Sequence, residues 1–303
     1  MSSAVADDRI RSLRPAKPYV DPFAAHGSVV EEERRPDGTI ERALTVFLAG
    51  AECPFTCSFC DLWRYTTDGA TPNGALPAQL RRVLDGLDAP LPDRVKLYNA
   101  SNFFDRRAVP PGDVPAIAEL SRGFSGVTVE SHVNTIGEAT VAFSRLITGR
   151  LEVAVGLETI HPLAATRINK RLDLARFEKG ARFLADHAID LRVFVLLGAP
   201  HVPAGESVEW TVRTVEHAVQ RCTSAHSPSS RTETLIGSIE PEQSAARSPG
   251  TSSSTCRLQR QFGQWLRCCV PGAAMGTSRR QRRQRKLSGP RCPAWVRRYV
   301  GVR

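Results

Sequence analysis

Three of the chain's eight cysteines are crowded into one stretch, Ala51-Glu52-Cys53-Pro54-Phe55-Thr56-Cys57-Ser58-Phe59-Cys60. The spacing is Cys-x3-Cys-x2-Cys, with the aromatic Phe59 directly before the last cysteine. The other five (Cys222, Cys256, Cys268, Cys269 and Cys292) all lie beyond residue 220. Residues 1–220 therefore offer this cluster no disulfide partner outside itself. In a reducing compartment, clustered cysteines bind metal or carry out redox chemistry. An iron–sulfur cubane takes cysteine thiolates and normally wants four. Three ligands leave one iron open, and an open metal position is where a substrate or cosubstrate binds. A structural zinc site is the first alternative. It needs four ligands, and His132, His161, His187, His201 and His217 are scattered singly. A non-catalytic electron carrier is the second, and it too would use four cysteines. Three unligated cysteines in a surface loop are the third.

The cysteines must be held by regular elements, and the alternation of patterns supplies them. Residues 1–40 are charged, rich in Pro and Gly and weakly periodic, so they read as a flexible N-terminal arm with at most a short helix. ALTVFLAG (43–50) is a short apolar run consistent with a buried strand, and the cysteine loop follows it. Pro77 opens a helical pattern with Leu80, Val83, Leu84 and Leu87 on one face. Further strands are predicted at 94–100, 126–132, 151–159 and 189–198. They alternate with helices at 114–124, 137–147, 174–188 and 205–219. Strands alternating with helices imply a parallel sheet with right-handed crossovers. Periodicity alone leaves a partial barrel and a doubly wound sheet both open. In either, chemistry belongs in the loops after the strands' carboxyl ends.

At about Arg221 the character changes. From there to Arg303 the chain carries 15 Arg, 1 Lys, 3 Glu and no Asp, a net charge of +13, within an overall +10. The body is mildly acidic. Leu, Ile, Val and Phe are sparse beyond 220, no strand or helix pattern survives there, and SRRQRRQRK (278–286) is a basic block. One reading is a disordered basic tail. The other is out-of-frame translation of a GC-rich gene, because Arg, Ser, Pro, Gly, Cys and Trp are what such a shift yields and a sixth strand is due there. Nucleic-acid binding by the block would rest on charge alone, with no aromatic interleaved among the arginines. No run approaches the ~18 apolar residues of a membrane span, and the N-terminus lacks the apolar run of a secretory signal. The expected location is the cytosol.

The cysteine run resembles the hallmark of the radical S-adenosylmethionine superfamily, Cys-x3-Cys-x-aromatic-Cys after the first strand of a partial (β/α)6 barrel. The resemblance covers roughly 43–219. It implies that Cys53, Cys57 and Cys60 hold a 4Fe–4S cluster whose open iron chelates the amino and carboxylate groups of S-adenosylmethionine. It also implies cleavage of a carbon–sulfur bond, giving methionine and a 5′-deoxyadenosyl radical that abstracts hydrogen from a substrate. Phe59 would border the adenine. After the second predicted strand many members carry a Gly-Gly-Glu run that this chain lacks. Asn99, Ser101 and Asn102 stand there instead as polar candidates for the cosubstrate.

Val129-Glu130-Ser131-His132, Gly156-Leu157-Glu158-Thr159 and Asn169-Lys170-Arg171 look like runs of one branch, that of the elongator catalytic subunit and the archaeosine-forming radical enzymes. His132 stands where that branch has Arg, and Arg171 where it has Gly. Glu130 and Glu158 are candidates for the cosubstrate's ribose or amino group, since a carboxylate at a strand's open end can accept two hydroxyl hydrogen bonds. Lys170 and Arg192 are candidates for its carboxylate. The implied substrate is tRNA or a small molecule, and the implied electron donor is a flavodoxin or ferredoxin.

The sequence thus predicts an α/β protein. A radical core at 41–220 forms a partial (β/α)6 TIM-like barrel, incomplete at its C-terminal end, with the arm at 1–40 before it and a basic tail at 221–303 after it. The alternatives are a non-catalytic iron–sulfur protein and an inactive truncated remnant.

Overall fold

A computed structural model describes residues 3–35, 37–223, 232–238 and 263–267. Its centre is one sheet of eight strands in sequence order: β1 (Gly27–Arg34), β2 (Ile40–Phe47), β3 (Arg94–Tyr98), β4 (Gly126–Glu130), β5 (Arg150–Glu158), β6 (Asp190–Leu197), β7 (Thr232–Ser238) and β8 (Gly263–Arg267). The six strands β2 to β7 run parallel, and β1 and β8 pair antiparallel on the two edges. The sheet curls into a half-barrel. The principal helices are α1 (Ser3–Ser12), α2 (Ala75–Asp85), α3 (Val114–Leu120), α4 (Glu138–Leu146), α5 (Pro162–Arg167), α6 (Leu174–Asp186) and α7 (Ser207–Thr223).

Alternation along each strand sorts the two faces. One set (Leu44, Val46, Val95, Leu97, Val127, Val129, Val153, Val155, Val193 and Val195) is fully buried in the main core with Leu76 and Leu80 of α2, Ile117 of α3, Phe143 of α4, and Phe177 and Leu184 of α6. Burying these side chains supplies roughly 1.5–3 kcal/mol each. The opposite set (Arg94, Lys96 and Tyr98 on β3, Thr128 and Glu130 on β4, Glu152, Ala154 and Glu158 on β5, Arg192 and Phe194 on β6) faces the lumen.

Two expectations are corrected at the ends of the chain. The expected arm contains β1, which covers the edge of β2 over eight residue pairs. Its inward Glu31 and Glu33 place charge where a strand pattern calls for apolar residues, so the alternation was hidden. The expected tail contains the sixth parallel strand, β7, in register with β6 from Leu191↔Thr232 to Leu197↔Ser238. The sheet therefore continues past residue 220, and the parallel set is complete at six strands. The basic block at 278–286 and the other tail residues outside 221–223, 232–238 and 263–267 lie outside the described residues, and with them the reading of disorder or of a shifted frame. Among the described residues no helix is long and apolar enough to cross a membrane.

Candidate functional site

The lumen is layered. At the amino ends of the strands, four cations (Arg35, Arg94, Lys96 and Arg192) interleave with four carboxylates (Glu31, Glu33, Glu41 and Glu152). The closest pairs are Lys96–Glu33 at 2.5 Å and, at 2.7 Å, Lys96–Glu31, Arg94–Glu41 and Arg192–Glu152. Above this layer, Phe47, Tyr98 and Phe194 pack with Val29. Above them, at the carboxyl ends, opens a cavity of about 180 Å³. All three motif cysteines line it, together with Phe55, Phe59, Ser101, Asn102, Glu130, His132, Glu158 and Lys170.

Backbone pins hold the cysteine loop. The Gln79 side chain accepts from the Ala49 N–H at 2.8 Å and donates to its carbonyl at 2.9 Å. Thr71 Oγ1 accepts from the Ala51 N–H at 2.7 Å and donates to the Ala108 carbonyl at 2.7 Å. A Cβ at Gly50 would meet that carbonyl at 3.2 Å and Thr71 Oγ1 at 3.3 Å, so a larger residue there would press on both by a few tenths of an ångström. Farther along, Thr56 donates to Asp7 of α1 at 2.5 Å. The Asn169 amide donates to Asp7 at 3.0 Å, to the Thr56 carbonyl at 3.1 Å and to its hydroxyl at 2.8 Å. Arg171 pairs with the same Asp7 carboxylate. Asn169 and Arg171 have φ of 54° and 57°, a left-handed backbone that costs a bulky residue energy. The Asp7 knot ties both to the loop. Burial pushes the Asp7 carboxyl up, and the hydrogen bonds from Thr56, Asn169 and Arg171 outweigh it, leaving a lowered pKa.

The three thiols are half-buried and none is in a disulfide. Burial raises all three; Cys57 is pushed up to about 11, and Cys60 further still. Ligation would therefore have to displace protons. Among the described residues no three His, Cys, Asp or Glu side chains are gathered tightly enough to hold a single ion.

The candidate residues fare differently. Glu158 lies in the cavity, paired with Lys170 at 2.6 Å. A Cβ on Gly156 would fall 2.1 Å from Glu158 Oε1 and 2.4 Å from Lys170 Nζ, so the ion pair rests against bare backbone. Glu130 accepts from the Ala100 N–H at 2.8 Å, which pins the turn after β3. Its burial outweighs the backbone donors of Ala100 and Asn99 and the charge of Lys170, so its carboxyl is raised to about 7. Ser101 Oγ and Asn99 Nδ2 are buried and have no hydrogen-bond partner among the described residues. Phe59 lies on the wall.

Two assignments change. Arg192 belongs to the lower ion layer, bound to Glu152 and Glu33, and not to the cavity. It is the third residue of β6, near the amino end, while the site is at the carboxyl end. Asn102, a candidate for the cosubstrate, turns both ends of its amide to the protein. Its nitrogen donates to Cys53 Sγ at 3.4 Å, and its oxygen accepts the His132 N–H at 2.6 Å.

Phe55 and Asp7 were not foreseen. Phe55 stacks on the His132 ring with centroids 3.9 Å apart. His132 Nδ1 accepts from the Asn134 N–H, so the ring proton sits on Nε2 and is donated to the Lys170 carbonyl at 3.0 Å. Burial first, and then the Lys170 charge, push its pKa down to about 4, so the ring is neutral at pH 7. It is an organising residue with both nitrogens occupied. An aromatic residue inside a cysteine loop was the one available signal for Phe55; Asp7 carried none.

No family profile matches the chain, and no curated protein matches it. Solved structures do. Streptococcus suis SuiB bound to S-adenosylmethionine is similar at 14% identity and a TM-score of 0.42, over 69% of this chain and 40% of that one. Streptococcus suis SuiB in a second structure is similar at 14% identity and a TM-score of 0.41, over 70% and 42%. Methylornithine synthase (PylB) is similar at 14% identity and a TM-score of 0.42, over 61% and 51%. The chain thus spans about half or less of the length of these structures.

Proposed function

We propose that the chain is a radical S-adenosylmethionine enzyme in which Cys53, Cys57 and Cys60 hold a 4Fe–4S cluster. The observation that carries this reading is the convergence of the motif with the fold. A Cys-x3-Cys-x-aromatic-Cys run opens after the first parallel strand, and all three sulfurs line a single cavity at the carboxyl ends of a six-stranded half-barrel. The donor set fits such a group. Thiolates are its ligands, and the nearby imidazole, His132, has both nitrogens engaged and supplies no fourth. When bound, the cluster supplies the electron that cleaves the carbon–sulfur bond of S-adenosylmethionine.

The chain's own residues bind, orient and exclude. Ser101 Oγ, which has no hydrogen-bond partner among the described residues, belongs to a residue that lines the cavity at the β3 end and is suited to the cosubstrate's amino acid or ribose; Asn99 is fully buried and is not among the lining residues. Glu158 and Lys170 present one carboxylate and one ammonium, and exchange of partners on binding would seat the zwitterionic end of the cosubstrate. Glu130 contributes a carboxyl poised near neutrality. Phe55 and Phe59 form apolar walls that exclude water. A flavodoxin or ferredoxin as reductant, and tRNA or a small molecule as substrate, complete the proposal. The branch resemblance supports tRNA through Glu130, Glu158 and the Asn169–Lys170 pair.

The test is anaerobic reconstitution, with iron and sulfide determination and EPR of the reduced protein with and without S-adenosylmethionine. The expected result is four irons per chain and a signal that shifts on addition, with Cys57→Ala retaining less than about one-tenth of the iron. Zinc in place of iron, or a cluster indifferent to the cosubstrate, would overturn the reading.

A further inference from the structure

We infer that Asn102 is a positioning residue for Cys53: its amide N–H···S bond orients that thiolate and tunes the reduction potential of the bound cluster, rather than contacting the cosubstrate. This rests on the cluster reading above.

Asn102 is 2% exposed, so its amide competes with almost no water. The direction of the amide is decided by its neighbours. The His132 N–H, at 2.6 Å, can only donate, so it takes the oxygen and turns the NH2 toward Cys53 Sγ at 3.4 Å. His132 is itself immobilised by the Asn134 N–H, the Lys170 carbonyl and the stacked Phe55 ring. Phe55 lies two residues from Cys53, so one rigid unit holds both the cysteine and the donor aimed at it. A thiol sulfur is a weak acceptor and a ligating thiolate a much better one. The donor is therefore aimed at the ligated form. Donors to ligand sulfur stabilise the more electron-rich state and raise the potential, and such outer-shell partners also govern metal retention. The neighbouring Ser101 hydroxyl, unpartnered and on the cavity wall, is the better cosubstrate contact.

Asn102→Asp is the discriminating variant. It keeps an oxygen for the His132 N–H, and so the contact that fixes the loop, and replaces the donor facing sulfur with an acceptor. Asn102→Ala is its companion and Ser101→Ala the control. In the reconstituted full chain, the midpoint potential is read by EPR-monitored redox titration and iron retention by chelator challenge. We expect both Asn102 variants to take up the cluster, to titrate at a more negative potential than the parent, Asn102→Asp the more so, and to lose iron about tenfold faster. Their cosubstrate-induced EPR shift should persist, whereas Ser101→Ala should keep the parent potential and weaken that shift. Parent-like potentials in both Asn102 variants, or loss of the cosubstrate shift without a change in potential, would overturn the inference. A parent chain that takes up no iron would overturn the functional reading itself, and is seen before any variant is compared.

Discussion

The two ends of the lumen use the same residue types to opposite effect. At the amino ends, Glu152 is buried among Arg192, Arg94 and Arg35. Burial alone would raise its pKa, but the three guanidinium charges outweigh it and hold the carboxyl at about 2. At the carboxyl ends, Glu130 is half-buried, has two backbone donors and the charge of Lys170 but no guanidinium beside it, and rises to about 7. In the lower layer each charged side chain has an oppositely charged partner. The upper layer holds three thiols, a hydroxyl (Ser101) without a hydrogen-bond partner among the described residues, and an ion pair resting on glycine. Saturated polar networks specify structure, and unsaturated ones mark where a ligand completes the structure.

Glu152→Gln should show the largest effect on stability. It removes the nearest carboxylate of both Arg35 and Arg192, leaving them the longer contacts to Glu41 at 3.5 Å and Glu33 at 3.3 Å, and the expected loss is about 3 kcal/mol, measured by denaturant unfolding at pH 7. The sign with pH follows from the depressed pKa. The parent's contribution from this group is complete above its ordinary value of ~4.3 and fades as the pH falls toward 2, and the variant lacks that slope.

Glu130→Gln should act the other way. A carboxyl raised to about 7 contributes stability fully below ~4.3 and loses it as the pH rises to 7. The amide keeps an acceptor for the Ala100 N–H, so the variant should be more stable than the parent at pH 8 by up to about 3 kcal/mol, with the slope between ~4.3 and 7 removed. A parent stability that is flat across that interval would erase the contrast between the two glutamates.

Gly156→Ala sharpens the contrast at the site. Its methyl would displace both charged ends of the Glu158–Lys170 pair, at a cost of about 1–2 kcal/mol. The larger consequence should be weaker S-adenosylmethionine binding, measured by calorimetry on the reconstituted protein. The smallest expected change is Asp7→Asn, about 1 kcal/mol or less in global stability. Hydrogen exchange of the 53–60 loop should nevertheless quicken, because Thr56, Asn169 and Arg171 share that one carboxylate.

How much could be read beforehand differs between parts of the chain. The cysteine spacing and the five strand–helix repeats from 43 to 219 are local patterns, carried by neighbours in sequence, and β2 to β6 with their helices lie where the periodicity put them. β1 was hidden because its inward positions are Glu31 and Glu33, whose cations, Lys96 and Arg192, come from distant strands. β7 was hidden by the polar, arginine-rich composition around it. Arg192, expected as a candidate for the cosubstrate's carboxylate, lies instead in the lower ion layer, since a strand's alternation reports the face a residue takes and not the layer it occupies.

The residue types that define the chemistry and the period that makes a parallel α/β sheet were written in the sequence, because both depend on spacing along one chain. Which buried glutamate is pinned charged and which is left near neutrality, whether Asn102 faces a cosubstrate or a sulfur, and that Asp7 reaches across to the cysteine loop were decided by the tertiary structure alone. Burial and hydrogen-bond partners are properties of the neighbours that strands and loops far apart in the chain bring within a few ångströms of each other, and no spacing along the chain encodes them.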